Sequence, residues 1–281
     1  MMKRVANVIE VGLRDGLQSH PHILSSREKL ELINNLIKAG VKELEIASFV
    51  NPKLVPQLSD SKYISQNVTR YKGVRYSALV PNLKGYMNAR ECENISEIVL
   101  FASVSETFNQ KNIHSDLKGA FKRFEEFVPL AKREGMSIRG SLSCCFDCPY
   151  EGRMWIDKVV DVVKMYKELG VDRIDIADTI GSGNVYKMGN LLNAILKEVN
   201  PEQLTGHFHD TRGNALSLVR LCLEYGITTF HSSIGGLGGC PFSNKIVGNL
   251  STEDLVEYLH LLGYETGIDL QRLKKININN K

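Results

Sequence analysis

Within its 281 residues the chain has no apolar run near the roughly 18 residues that a membrane-crossing helix requires, which argues against a membrane partner. No block of like charge occurs either. The net charge of +3 is spread over interspersed Lys, Arg, Asp and Glu, so neither nucleic acid nor an anionic surface is the expected partner, whereas anionic small molecules stay open. Cysteine is sparse. Cys92, Cys144, Cys145, Cys148, Cys222 and Cys240 lack the density and spacing of a secreted disulfide framework, and cytosolic thiols are the expectation. Met1-Met2-Lys3-Arg4 runs directly into Val5 to Val11 without an apolar leader or an arginine-rich presequence, so a cytoplasmic location is expected. The glycine fingerprint that would follow the first strand of a dinucleotide-binding fold is missing as well.

What the chain does contain is a regular alternation of short β-branched runs with longer segments of helical period. Strands are expected at Val8–Val11, Glu43–Ala47, Arg75–Val80, Ile98–Val104, Ile138–Ser143, Arg173–Ala177, Leu204–His209 and Thr228–Ile234. Ser25-Ser26-Arg27-Glu28 reads as a capping box for the first helix and Ser251-Thr252-Glu253-Asp254 as the cap of the last. In the fourth crossover, Phe121, Phe124, Phe127, Val128 and Ala131 form one apolar stripe. Eight strand-then-helix units predict a single (β/α)8 TIM barrel over residues 1–270, followed by a fraying polar tail over 271–281. A doubly wound open sheet is the alternative.

Chemistry in such a barrel sits at the C-terminal ends of the strands, so the polar residues there are the candidates. Arg14, Asp15 and Gln18 follow the first strand, and Glu45 and Ser48 lie on or after the second. Arg139 is on the fifth, Asp178 and Thr179 close the sixth, and His207, His209 and Asp210 end the seventh. Beyond the eighth come Gly235 to Pro241, then Asn244 and Asn249. Taken alone, a His-Phe-His is more often a core imidazole beside a surface one. On a strand, however, the period of two turns His207 and His209 to one face and Phe208 to the other. With the Asp15 carboxylate and the Asn249 amide oxygen they make a mixed nitrogen and oxygen set suited to Mg²⁺ or Mn²⁺. Zinc is an alternative, and a histidine-carboxylate Fe(II) triad is another.

Cys240, at the end of a glycine-rich loop over these ligands, is placed to move a proton as the loop closes. Cys144, Cys145 and Cys148 read as structural thiols. Arg139 inside an apolar strand needs an acidic partner, and so does Glu45, for which Arg14 is the natural candidate. Lys111 alone would be an ordinary solvated lysine.

At VIEVGLRDGLQ, IASFVNPKLVPQLSD, VPNLKG, FNQKNI, SCCFDCPYEG, ADTIG, GHFHDTRGNAL, SSIGGLGGCPF and GNLSTEDLV the chain resembles the 3-hydroxy-3-methylglutaryl-CoA lyases of the DRE-TIM metallolyase superfamily. The resemblance runs from the first strand to the last helix. It implies metal ligation by Asp15, His207, His209 and Asn249, with Arg14 and Cys240 catalytic. It also implies supporting roles for Gln18, Glu45, Ser48 and Asp178, and contact of Lys111, Asn112 and Arg139 with an acyl-CoA substrate, beside which Thr179 is placed by its strand end. A retro-Claisen-type cleavage to acetyl-CoA and acetoacetate follows, within leucine degradation and ketone-body metabolism, with His207 or Asp178 as the base, and a homodimer is the family's assembly. Arg212, Asp175, Ala177 and the stretch Phe242 to Val247 depart from the usual pattern, which leaves the exact acyl group open.

Three other functions compete. An acetyl-CoA-dependent condensing synthase of the same superfamily would usually carry a long C-terminal region, and the end of this chain soon after the last helix favours cleavage. A 4-hydroxy-2-ketoacid aldolase would not need Gly-Leu-Gly-Gly-Cys-Pro. A non-catalytic metal- or CoA-binding barrel would show the loss of Arg14, Asp15, a histidine or Cys240, and none is lost.

Overall fold

The computed structural model of the chain describes residues 3–238 and 248–276. Its centre is a closed barrel of parallel strands in chain order: β1 (Asn7–Glu10), β2 (Glu43–Ser48), β3 (Arg75–Leu79), β4 (Ile95–Ser103), β5 (Ser137–Ser143), β6 (Arg173–Asp178), β7 (Leu204–Phe208) and β8 (Thr229–Ser232). Strand β8 pairs with both β7 and β1, which leaves no free edge. The (β/α)8 architecture expected from the alternation is therefore the one present.

The period of two divides each strand between two environments. On β2, Leu44 and Ile46 join the hydrophobic layer beneath the helices while Glu45 turns inward. On β5, Ile138 and Leu142 belong to that outer layer and Arg139 to the inside; Gly140 faces out so closely that an added Cβ would stand 2.6 Å from the Tyr166 ring. The helices supply the other half of the layer. The first (Ser26–Lys38) is opened by the expected box, in which Ser25 Oγ accepts from Glu28 N and the Glu28 carboxylate accepts from Ser25 N at 2.8 Å. The helix Ile156–Leu169 buries Val159, Val162, Val163 and Tyr166 and ends at Gly170, whose φ of 77° suits only glycine well.

Two local readings change. The aromatic stripe of the fourth crossover is carried on two short helices, Leu117–Glu125 and Val128–Arg133, because Pro129 lacks an N–H and is tolerated only in a helix's first turn. The chain after Gly263, read from its Lys and Asn content as a fraying tail, is instead docked as far as Ile276. Tyr264–Glu265 pairs with Arg4–Val5, Asp269 N donates to Ala39 O at 2.7 Å, and Leu273 is fully buried. Apolar side chains at Ile268 and Leu273 outweigh the polar composition around them.

Gly206 on β7 is a sharp test of this packing, since a Cβ there would lie 2.7 Å from the Phe208 ring and 2.9 Å from that of Phe230. Gly206→Ala is expected to lower the free energy of unfolding by about 1–3 kcal/mol through overpacking, read from urea denaturation.

Candidate active site

A single π-helical turn, Gly12–Gly16, follows β1 and presents Arg14 and Asp15 together. Val11 O accepts from the N–H groups of Arg14, Asp15 and Gly16, which holds the turn against the end of the strand. From there an ionic chain runs down into the barrel. Arg14 Nη1 donates to Asp15 Oδ1 at 2.7 Å, and its Nε makes a close contact with Glu45 Oε1. The other Glu45 oxygen accepts from Arg139 Nη2 at 2.7 Å.

Arg139 is 0% exposed and spends every N–H inside. Nε faces Glu97 at 3.1 Å, Nη1 faces Asp175 at 3.4 Å and touches His231 Nε2, and Nη2 reaches Glu45 and, at 3.2 Å, Ser77 Oγ. The expected contact of Arg139 with substrate is corrected accordingly: a guanidinium wrapped by carboxylates has no donor left to turn toward the mouth. Burial raises the Asp175 carboxyl to about 7 despite the Arg139 charge, whereas Glu97, between Arg139 and Arg173, is held below the ordinary range against the same desolvation.

Above this layer the ligand atoms of Asp15, His207 and His209 all lie within 4.8 Å of one another. Asn249 joins them by two routes. Its Nδ2 donates to Asp15 Oδ2 at 2.8 Å, and its backbone forms an antiparallel bridge with His209. That approach depends on glycine: a Cβ on Gly248 would stand 1.8 Å from Gly238 O, and one on Gly238 would stand 2.9 Å from Asn249 Nδ2. Burial pushes His207 down to about 3, only partly offset by Asp15, and lowers His209 in the same way, so both rings are neutral lone-pair donors. Asp15 goes the other way. Burial opposes ionisation, but Arg14 and the two histidines outweigh it and hold the carboxylate far below its ordinary range. One anionic oxygen donor and two neutral nitrogens that converge, with His209 Nδ1 buried and lacking a partner, fit a divalent cation.

The remaining expectations divide. Gln18 Nε2 donates to Asp15 Oδ1 at 3.0 Å and Ser48 is buried at the end of β2, so both lie in this cluster's surroundings. Of the two residues considered as base, only His207 is in the cluster. Asp178, 1% exposed, shares the outward parity of Ile174 and Ile176, and its two oxygens accept from Ser182 N and Gly183 N, each at 2.8 Å. It holds the loop after β6, and burial raises it to about 6. Thr179 Oγ1 accepts from Cys144 N at 2.7 Å, tying that loop to the one after β5. Lys111 is exposed and sits 4.8 Å from the Tyr150 ring centroid, and Asn112 donates back to Phe108 O at 2.9 Å. Cys144, Cys145 and Cys148 are buried and free, and desolvation raises Cys144 to about 12, which fits inert thiols. Arg212 is exposed, and Cys240 and Phe242 to Val247 lie outside the described residues.

Two buried groups were not legible as functional in the sequence. His231 on β8 touches His207, Nδ1 to Nδ1, at 3.0 Å; its signal was period two in Thr-Phe-His-Ser beside an Arg139 that needed partners. Glu10 turns outward from β1, where Oε1 accepts from Gly12 N and Ile234 N and Oε2 from Thr252 Oγ1, fastening the first and eighth loops to the last helix. Desolvation raises it to about 7. A carboxyl whose folded pKa is raised holds its proton more tightly folded than unfolded, so its contribution is present at low pH and is lost as pH climbs from about 4.5 to about 7. Glu10→Gln should therefore gain stability relative to wild type across that window and show no further relative change above it, in urea midpoints measured against pH.

The comparisons with known proteins agree with this geometry. The family model HMGL-like matches residues 6–278. Human mitochondrial hydroxymethylglutaryl-CoA lyase is 41% identical over 271 residues, covering 96% of this chain and 83% of that protein. The Brucella melitensis HMG-CoA lyase structure is 40% identical with a TM-score of 0.94, covering 96% of this chain and 95% of that one. An HMG-CoA lyase from Acinetobacter baumannii, solved with coenzyme A and 3-methylmalate, is 38% identical with a TM-score of 0.91 over 96% of this chain and 88% of that one. The ligand cluster, the barrel that carries it and the match over nearly the whole length place this chain in the HMGL-like family.

Proposed function

We propose that the chain is a divalent-cation-dependent carbon–carbon lyase that cleaves 3-hydroxy-3-methylglutaryl-CoA, or a close 3-hydroxyacyl-CoA analogue, to acetyl-CoA and acetoacetate. The observation that carries this reading is the convergence of Asp15, His207 and His209 within 4.8 Å beside an Arg14 that Glu45 holds in place. Relatives with the named activity at about 40% identity over most of the chain support the substrate.

Asp15, His207, His209 and the Asn249 amide would hold the cation, Mg²⁺ or Mn²⁺ by the hardness of the set, with zinc the alternative. When bound, the cation supplies Lewis acidity toward the substrate's hydroxyl and carboxylate oxygens. Arg14 is preorganised by Glu45 and Asp15, so its guanidinium needs no reorganisation to meet the negative charge that develops on the thioester oxygen as the bond breaks. Cys240 is assigned the proton that the enolate carbon takes up. The loop after β6, anchored by Asp178 and joined to the loop after β5 through Thr179, forms one wall beside the ligands. Lys111 and Asn112, on the exposed helix Glu106–Ile113, are assigned to the CoA portion. Five buried free cysteines suit a reducing compartment such as the cytoplasm, and a homodimer is the assembly proposed.

A coupled assay for acetyl-CoA release from 3-hydroxy-3-methylglutaryl-CoA is expected to require Mg²⁺ or Mn²⁺ and to stop on chelation; a folded protein without metal-dependent cleavage would reject the substrate. Arg14→Gln should lower kcat by about 10²–10³-fold, the usual cost of one preorganised donor, while calorimetry finds cation binding retained. Cys240→Ser should bind cation and substrate yet lose turnover, so near-normal kcat would remove its role.

A further inference from the structure

Beneath the ligand His207 lies a third imidazole. His231 and Asp175 come from the strands on either side of β7, and both turn into the barrel. His207 Nδ1 and His231 Nδ1 are 3.0 Å apart, which is hydrogen-bond distance and admits only one proton between them. The His207 nitrogen left for a cation is therefore Nε2. On the far side of His231, Nε2 touches Arg139 Nη1 and lies 3.6 Å from Asp175 Oδ1. That oxygen is buried and has no hydrogen-bond partner.

Arg139 can only donate, so in the arrangement shown His231 Nε2 accepts and the His231 proton is on Nδ1, donated to His207 Nδ1. Neutral His207 then carries its own proton on Nε2, the nitrogen a cation would need. Ligation demands the opposite: a proton on His207 Nδ1 donated to His231 Nδ1, and the His231 proton on Nε2. Asp175 Oδ1 is the acceptor placed for it.

Building on the cation-site reading above, we propose that His231, backed by Asp175, is a positioning residue that sets the tautomer of His207 and so controls whether the ligand nitrogen is free. Each ring carries one proton in both arrangements. The proton between the two Nδ1 atoms moves from His231 to His207, and the one leaving His207 Nε2 is replaced by one gained at His231 Nε2, so loading changes the tautomers without changing the pair's charge. A ligand's outer hydrogen bond is the usual means of fixing its tautomer, and its loss typically costs about 10–100-fold in metal affinity.

The test uses the full chain labelled with ¹⁵N-histidine, of which it has seven, in long-range ¹H–¹⁵N spectra with and without saturating Mg²⁺. His231 is expected to pass from the Nδ1–H to the Nε2–H form on loading, and His207 from Nε2–H to Nδ1–H. Calorimetry with Mn²⁺ should show about 10–100-fold weaker binding for His231→Phe, with His231→Asn, which keeps an acceptor near the Nδ1 position, recovering most of it. Unchanged His231 tautomers on loading, or wild-type affinity in His231→Phe, overturn the relay while the cation site stands. A wild-type protein that binds no cation overturns both. The wild-type spectra decide the matter even where His231→Phe does not fold.

Discussion

A permanently charged guanidinium in the middle of a barrel is the constraint from which the rest of the site follows. Arg139 cannot lose its proton, and leaving it unpaired out of water would be prohibitive, so β2, β4 and β6 must each deliver a carboxylate to it. Removing one partner of such a buried set typically costs about 3–5 kcal/mol. The network is consequently a device for holding geometry. Glu45 is shared between Arg139 below and Arg14 above, and Arg14 in turn grips Asp15, so a cation ligand is tied through two guanidiniums to the floor of the barrel.

The alternation of side chains along the strands assigns the buried carboxyls their different tasks. Glu45, Glu97 and Asp175 face inward and meet cations. Glu10 and Asp178 face outward near strand ends and meet backbone N–H groups of the loops. The inward set sets charge at the site, and the outward set keeps the loops over it. The neutral histidines complete this division: a low-dielectric surround suppresses their protonation while an ionised Asp15 stands beside them, which is the combination of donors that a hard dication takes.

Much of this was legible from residue order. The eight units, the capping box at Ser25 and Glu28, the shared face of His207 and His209 and the pairing of Glu45 with Arg14 all follow from local rules of period and charge. Arg139 was rightly recognised as needing a partner but wrongly aimed at substrate, because a strand pattern tells which face a side chain is on and not how deep it lies. Asp178 was misjudged for a related reason: its closeness to the catalytic end of β6 hid that its parity is that of Ile174 and Ile176. The docked chain beyond Gly263 was missed because composition averages away two well-placed apolar residues.

By itself, then, the sequence determined the barrel, the strand that carries the histidines and the identity of the groups at its end, since these depend on spacing along a chain whose periodicities are local. Only the tertiary structure decided that Arg139 is sealed, that Asp178 serves a loop, and that His231 stands behind His207. Those are statements about which side chains of distant strands share one layer, and closure of the barrel, with its register across every strand pair, is what brings them within hydrogen-bond distance.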